Sequence, residues 1–344
     1  MRRAKIAALH LMKRLGLFAA ARRRSRRSLR ILCYHGAWRG RDGFPGDSMF
    51  IRPETFAARL DFLQRHGFSV VTLDQAAAGL SGAAELPPDA VAITMDDGWY
   101  SSYADMLPAL KRQGMPATVY CDSENLMAGL PIPHVMARYL RRIHAGDGPL
   151  DAEAEAAFDR ATDLALDREA RHAAALEFAS RLRIDIEPYL AGRVFAYMTP
   201  EELAEAHSAG FAIELHSHRH SLHDFSPRKV EEEIALNRDA LAACLGKPAA
   251  DFRHFCYPSG RTAPGIGAAL RRVGIVSATT LNPGMARRDA DPLLLPRILD
   301  GDHLSMIEFE AELCGVGDLL RAIRRAASAG AAGDLRRAAS AQGA

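Results

Sequence analysis

From residue 30 onward, short apolar runs recur at intervals along the chain: "RILCYH" (30–35), "FSVVTL" (68–73), "AVAITM" (90–95), "PATVYC" (116–121), "FAIEL" (211–215), "HFCY" (254–257), "IVSATT" (275–280) and "LLLPRI" (293–298). Their apolar positions are mostly continuous rather than alternating, which predicts parallel strands buried on both faces. Between them the apolar spacing changes to that of helices. In "PETFAARLDFLQRHG" (53–67), Phe56, Leu60 and Leu63 share one face and Gly67 marks the end. Further helices are expected at 101–113, 200–209, 227–245 and 264–273. Seven or eight such strand–helix units fit a closed α/β barrel better than an open sheet.

One stretch breaks the alternation. Residues 134–190 are rich in Ala, Glu, Arg and Leu and carry no strand signal, which predicts two or three inserted helices with "AGDGPL" (145–150) as a turn. The expected organisation is a basic helical arm (1–29), a barrel (30–315) interrupted by a helical insertion at about 123–198, and a low-complexity Ala/Gly/Ser-rich tail (325–344).

Charge sharpens the picture of the arm. The chain has a formal charge of +2, but residues 1–30 hold eleven Arg/Lys and no Asp/Glu, leaving 33 basic against 42 acidic residues beyond them. The basic character therefore belongs to the arm, and no nucleic-acid partner is expected. Lys13 and Arg14 interrupt the arm's apolar stretch, unlike a secretory signal, and no apolar run approaches the roughly 18 residues of a membrane span. Leu11, Met12, Leu15 and Phe18 share one arc of a helical wheel. Two readings follow: peripheral contact of residues 1–28 with an anionic membrane, or a helix packed on the domain. Five scattered cysteines without a CxxC pair argue against disulfides or a thiolate zinc site and suit a reducing compartment. A cytoplasmic location is expected, with the inner face of a membrane as a docking place.

Candidate chemistry falls at the C-terminal ends of the predicted strands, where barrel enzymes carry their working residues. "AVAITMDDGW" ends with adjacent carboxylates, Asp96 and Asp97. "FAIELHSHRH" ends with His216, His218 and His220. "RILCYH" ends with His35, and "HFCYPSGR" ends with a Pro-Ser-Gly turn. A strand would align all three histidines on one face, whereas a helical turn would pair His216 with His220. A carboxylate and two imidazoles suit a borderline divalent metal such as zinc, with positions left for water and substrate.

These stretches carry a resemblance. "TMDDG", "HSHRH", "FCYPSG", "LPRI" and the opening "ILCYHGA" resemble the motifs of the NodB-homology polysaccharide deacetylases, carbohydrate esterase family four, in its poly-N-acetylglucosamine deacetylase-like branch. The resemblance runs from about residue 30 to 300, with 123–198 outside it. It implies a distorted (β/α)₇ barrel and an enzyme that hydrolyses the acetamide of N-acetylated sugars, in a polysaccharide or a lipid-linked precursor, and releases acetate. It also implies a divalent metal, Zn²⁺ first and Co²⁺ or another ion as alternatives, bound by Asp97, His216 and His220. Asp96 would be the general base, and His218 and His223 would be structural, with Ser217 capping the turn that aims the ligands. Tyr257, Ser259 and Gly260 would form the substrate and oxyanion segment.

The resemblance also shows departures. Cys256 falls where many members have the arginine that holds the base, and no late Leu-x-x-His acid is evident. Arg297, with Arg261 as second choice, is the expected replacement cation, and His35 the expected acid. Cys256 reads as a small filler rather than a nucleophile. Two other functions remain open: a deformylase or other acyl-amide hydrolase of the same fold, and an inactive glycan-binding or scaffold protein.

Overall fold

The computed structural model describes residues 2–40, 49–129, 131–144, 148–163, 165–220 and 226–326. Seven parallel strands close on themselves: β1 (Arg30–Tyr34), β2 (Ala90–Met95), β3 (Thr118–Cys121), β4 (Ala212–Leu215), β5 (His254–Cys256), β6 (Ser277–Pro283) and β7 (Leu295–Leu299). β1 lies beside β2 in register from Arg30 opposite Val91 to Tyr34 opposite Met95, and pairs on its other edge with β7 at Leu32 and Ile298. The barrel is therefore complete, and it has seven strands where the apolar runs allowed seven or eight. The run "FSVVTL" contributes only Ser69–Val70, paired to the first residues of β2. It is cut short because Thr72 and Gln75 form a capping box that starts the helix Leu73–Ser81.

Strand alternation sorts the core into two shells. Leu32, Val91, Ile93, Val119, Ile213, Phe255 and Ile298 point outward under a ring of helices that includes Pro53–Arg65, Pro200–Ser208 and Pro227–Leu245. Ile31, Ala92, Tyr120, Cys256 and Leu295 belong to a second cluster. Arg297 of β7 bonds Thr94 and Asp96 from β2 and Cys256 from β5. Side chains from strands that are not neighbours can meet only across the barrel interior, so this second cluster fills the inside. It is apolar below and polar above, and the polar layer lies at the carboxyl ends of the strands.

The insertion leaves the barrel after β3 and returns at Pro200. It contains three longer helices, Pro133–His144, Ala152–Thr162 and Arg168–Arg181, flanked by the short helices Ser123–Ala128 and Glu187–Ala191. Asp151 and Asp167 cap the second and third of these through the amides of Ala154 and Ala170. Their apolar faces build a separate core around Met136, Leu140, Ala175 and Phe178. That core reaches the barrel mouth through Trp38, Phe50 and Trp99.

The arm folds as two helices, Arg2–Arg14 and Leu17–Ser25, joined at Gly16 with φ 76°. Leu9 and Phe18 are buried against Ile307, Ala311 and Val316, and Lys5 and Lys13 pair with Glu308 and Glu310 of the helix Met306–Cys314. The single arc expected for Leu11, Met12, Leu15 and Phe18 does not survive the break at Gly16. Phe18 packs inward and Met12 is half-buried, whereas Leu11, Leu15 and Leu17 stand 57%, 67% and 45% exposed at the corner. Of the expected tail, residues 327–344 lie outside the described residues, as do His223 and residues 145–147 of the expected turn.

Phe178 is fully buried and packs 5.4 Å from Phe158 within the insertion's own core. Phe178→Ala is expected to lower stability by about 3–5 kcal/mol, measured by urea denaturation.

Candidate active site

Asp96 and Asp97 follow β2 and are both almost fully buried. Adjacent residues on an extended chain point to opposite sides, and here each carboxylate meets a different partner. Asp97 has φ 74° and is followed by Gly98 at φ 90°. A Cβ on Gly98 would come within 3.1 Å of Cys121 Sγ, so the turn needs glycine both for its backbone angle and for the close approach.

Asp96 is gripped by Arg297. Nη1 donates to Oδ1 at 2.7 Å and Nη2 to Oδ2 at 2.6 Å, a two-pronged pair with both side chains buried. The guanidinium is fixed in turn by the Thr280 carbonyl at 2.9 Å and the Thr94 hydroxyl at 3.2 Å. Burial alone would raise the Asp96 carboxyl, but the Arg297 charge and its hydrogen bonds, with His216 and His35, hold it down at about 2. Cys33 and Cys256 also direct their thiols at Oδ2, at 3.6 and 3.4 Å. Burial pushes the Cys33 thiol well up. Cys256 is a small donor that also accepts from Arg297 Nη2 at 3.1 Å. Its size leaves room for an arginine arriving from β7. Arg261, the other candidate cation, is exposed on its turn.

Asp97 faces the imidazoles. Its Oδ1 lies 3.2 Å from His216 Nε2 and 3.1 Å from His220 Nε2, while Trp99 Nε1 donates to its Oδ2 at 2.9 Å. Burial would raise this carboxyl, and the two histidines overcome it and hold it well below the usual range. The two rings meet edge to face at 4.9 Å. The helical turn that would pair them is not what the chain adopts. Residues 216–220 form a loop in which Ser217 has φ 66° and His220 φ 51°, and these left-handed turns bring the second imidazole back. Ser217 is corrected in the same way: its hydroxyl is buried without a hydrogen bond among the described residues, so it caps nothing.

His216 is fixed from behind. Its Nδ1–H donates to the Cys256 carbonyl at 2.9 Å, which leaves Nε2 for Asp97. Asn237, buried in the helix Pro227–Leu245, accepts from the His216 amide at 3.0 Å and donates to Cys121 O and Ser123 Oγ at 3.1 and 3.0 Å. Glu233, four residues earlier, accepts from the amides of His218 and Arg219 at 3.1 and 3.0 Å. His218 itself turns to Ser123 Oγ at 2.8 Å, away from Asp97.

His35 lies close enough to both carboxyls for its charge to help hold them down, and its Nδ1 is buried without a hydrogen bond among the described residues. Tyr257 departs from the substrate role expected of it. Its ring is in the core, its hydroxyl donates to Leu293 O at 2.9 Å and its amide to Thr279 O at 3.1 Å. The Gly260 amide likewise donates to Tyr257 O at 2.8 Å. At Gly260, φ 65° and a backbone neighbour 2.8 Å from any added Cβ allow only glycine. Ser259, exposed with φ 53°, lines the cleft together with Pro258 and Arg261.

A divalent cation fits one of the two ligand clusters and not the other. Asp97 Oδ1, His216 Nε2 and His220 Nε2 converge, and Oδ1 is buried without a hydrogen-bond donor aligned to it among the described residues. A carboxylate and two imidazoles are the donor set of a borderline divalent ion. Asp96, His216 and Cys256 also lie close together. There, both carboxylate oxygens are taken by a guanidinium, His216 Nδ1 is spent on a carbonyl, and a cation would face the Arg297 charge.

A cavity of about 710 Å³ opens from His220 and Ser259 toward the insertion. A larger one, about 1050 Å³ between the arm and the segment around Met285, is lined by Pro296 of the "LPRI" stretch but by none of the candidate site residues.

A closed seven-stranded α/β barrel with acidic and imidazole groups gathered at the carboxyl ends of its strands has the architecture of a barrel hydrolase. The chain belongs to the polysaccharide deacetylase family, whose model matches residues 83–146 and 153–278, more than half of its length. The match runs through residues 153–198, which the motif resemblance left outside. It makes the protein an enzyme that hydrolyses acetamide groups of glycans. The Bacillus subtilis (strain 168) protein YxkH is 22% identical over 284 residues, 82% of this chain and 75% of its own. Among solved structures, the Streptococcus pyogenes deacetylase PplD in complex with acetate is 17% identical with a TM-score of 0.57, over 83% of this chain and 98% of that one. IcaB from Ammonifex degensii is 20% identical with a TM-score of 0.55, over 84% and 97%. At these identities the solved structures bear on the fold.

Arg297→Met removes the only guanidinium bonded to Asp96 among the described residues. Leaving that carboxylate buried without its cation is expected to cost about 3–5 kcal/mol at pH 7. The sign with pH is definite. In the wild type the depressed Asp96 contributes stability above the unfolded carboxyl range and loses it as pH falls toward about 2. In the variant, burial without the cation raises the same carboxyl, so its penalty is relieved by protonation. The gap between the two proteins should narrow from pH 7 to pH 4 in urea titrations with chelator present, and a gap that widens would contradict the assignment.

Proposed function

We propose that this protein is a divalent-metal-dependent deacetylase that removes acetyl from N-acetylated sugar residues. The observation that carries the reading is Asp97 Oδ1, buried between His216 Nε2 and His220 Nε2 at 3.2 and 3.1 Å without an aligned donor. These three residues would hold the ion, zinc by its donor preference with cobalt as a substitute. When bound, it would acidify a water molecule and polarise the acyl carbonyl.

The rest of the work falls to the chain itself. Asp96 accepts the proton of the attacking water. A carboxyl held near 2 is a weak base, but it is ionised at every working pH, and the Arg297 fork fixes the direction of its remaining lone pairs. The Ser259 N–H, on the turn that lines the cleft beside His220, is the donor for the negative charge that develops on the acyl oxygen. His35 protonates the departing amine: its imidazole is close to both carboxyls and its Nδ1 has no partner within the described protein. The same machinery would accept a formyl group, so the identity of the acid released is the deciding readout.

The test is metal analysis with acetate and formate measurement on N-acetylchitooligosaccharides, for the wild type beside Asp96→Asn. We expect zinc or cobalt to stimulate acetate release. Asp96→Asn should retain the ion and lose at least about 10²-fold in kcat, the usual worth of a general base. Formate would favour the deformylase reading. Tight glycan binding without either acid would favour a scaffold.

A membrane-surface role for the arm is supported by the exposed Leu11, Leu15 and Leu17 at its corner, with Arg14 beside them and Arg23 and Arg24 exposed on the second helix. We place the enzyme in the cytoplasm with this corner against the inner membrane. Among the described residues no helix is long and apolar enough to cross a membrane. Leu15→Asp should reduce sedimentation with vesicles of anionic phospholipid by several-fold at low salt while leaving the thermal midpoint unchanged, since Leu15 packs on little. Equal sedimentation would remove the membrane role.

A further inference from the structure

The cleft that opens from His220 and Ser259 is walled on its far side by the insertion, and that wall contains a side chain the deacetylation chemistry does not use. Arg168, the first residue of the 14-residue helix Arg168–Arg181, is 8% exposed, yet its Nε and Nη1 are buried without a hydrogen-bond partner. Burial lowers its guanidinium from the ordinary range, and the Asp122 charge is the strongest influence opposing that. No ion pair joins Arg168 to Asp122 among the described residues, however, and Asp122 itself is pushed up to about 6 by burial. An arginine almost never lies buried with empty donors. Arg138 and Arg171 line the same cleft from the insertion, and the N-terminus of the Arg168 helix opens onto it beside Asp167. Of the other cations there, Arg219 is tied to Glu233. Of the acidic residues there, Asp167 and Glu169 are exposed, Asp167 is engaged in capping Ala170, and half-buried Glu124 acts on Arg168 more weakly than Asp122.

We propose that this wall is a phosphate-recognition site, and that the N-acetylated sugar presented to Asp96 and Asp97 carries a phosphate ester or pyrophosphate on its anomeric oxygen. The proposal rests on the deacetylase reading for the sugar and on Arg168 for the anion. The forked donors of Arg168, with Arg138 and Arg171 beside them, match the several oxygens of a phosphate group better than they match the neutral hydroxyls of a polysaccharide. The N-terminus of the Arg168 helix adds a favourable dipole at the same place, with its Ala170 amide already taken by Asp167. The cleft volume of about 710 Å³ has room for a sugar and its phosphate together.

Calorimetric titration of the full chain separates this from the reading it builds on. The probes are methyl N-acetylglucosaminide, N-acetylglucosamine 1-phosphate, uridine diphosphate N-acetylglucosamine, a short prenyl-pyrophosphate-linked N-acetylglucosamine and inorganic pyrophosphate. The wild type should bind the phosphorylated sugars at least ten-fold more tightly than the methyl glycoside, with the difference shrinking as salt rises. Arg168→Met should abolish that preference and pyrophosphate binding while leaving the methyl glycoside unaffected. Arg138→Ala, at an exposed position that does not threaten folding, should weaken the phosphorylated probes about three-fold. Comparison of the nucleotide-linked and prenyl-linked arms identifies the source of the phosphate. If pyrophosphate binds through Arg168 but no acetate is ever released, the deacetylase reading falls and the anion site stands. If phosphorylated and neutral sugars bind equally, or if Arg168→Met changes nothing, the phosphate site is refuted whatever the enzyme hydrolyses.

Discussion

Two carboxylates on neighbouring residues, both buried in one barrel mouth, cannot coexist as anions unless each has its own positive counterpart. Everything at the upper end of this barrel follows from that requirement. Asp96 takes Arg297 from inside the barrel, and Asp97 turns outward to two imidazoles and an indole N–H. The division is enforced by backbone geometry. Asp97 sits at φ 74°, which swings its side chain away from the interior that Asp96 occupies. One carboxylate is thus permanently neutralised by the protein. The other has only two imidazoles and an indole N–H as partners, and this asymmetry suits the base and ligand roles proposed for the two.

A cysteine at position 256, where the motif resemblance would put an arginine, is intelligible in the same terms. A buried cation beside Asp96 is required, but its origin in the chain is not fixed. Arg297 enters from β7, crosses the barrel interior and is anchored by Thr280 and Thr94 before it reaches the carboxylate. A second arginine on β5 would place two like charges in one desolvated space. A thiol there instead donates weakly to Asp96 and accepts from Arg297, and so fits between them.

The barrel was legible in the sequence because each strand was an apolar run and each reactive group stood at the end of one. Asp96, Asp97 and His216 follow that rule, whereas Arg297, expected from the "LPRI" stretch, lies within β7. What failed did so for identifiable reasons. The run around Val70 and Val71 yields only the two-residue strand Ser69–Val70, because a capping box, Thr72 with Gln75, starts a helix there. His216 and His220 meet at Asp97 through left-handed residues rather than through the helical turn that their spacing suggests. Tyr257 lies next to a functional turn yet points into the core, because β5 alternates and its register was not known from the motif. Asn237 and Glu233 were missed although a signal existed: both lie on the same face as Ile234 and Leu241 in one helix, where a polar residue must find a buried partner. Trp99 stood beside the motif, but its N–H could be assigned to Asp97 only once the turn was known.

Backbone strain shows what this arrangement costs and what it accomplishes. Among the described residues seven non-glycine positions have positive φ, and four of them, Asp97, Ser217, His220 and Ser259, stand around the barrel mouth. Each such conformation costs on the order of 1 kcal/mol or more and persists only where the surroundings over-determine it. Here the surroundings are rigid: the Trp99–Tyr197–Phe50 aromatic cluster behind Asp97, Asn237 and the Cys256 carbonyl behind His216, and Leu281 against Gly260. Trp99 and Phe50 belong to the insertion's core, so the inserted helices do more than roof the cleft. They buttress the turn that aims Asp97, while Arg168 of the same insertion lines the cleft above it. A single packed unit therefore sets the direction of Asp97 and shapes one wall of the cleft, apart from the strands that end in the motif residues.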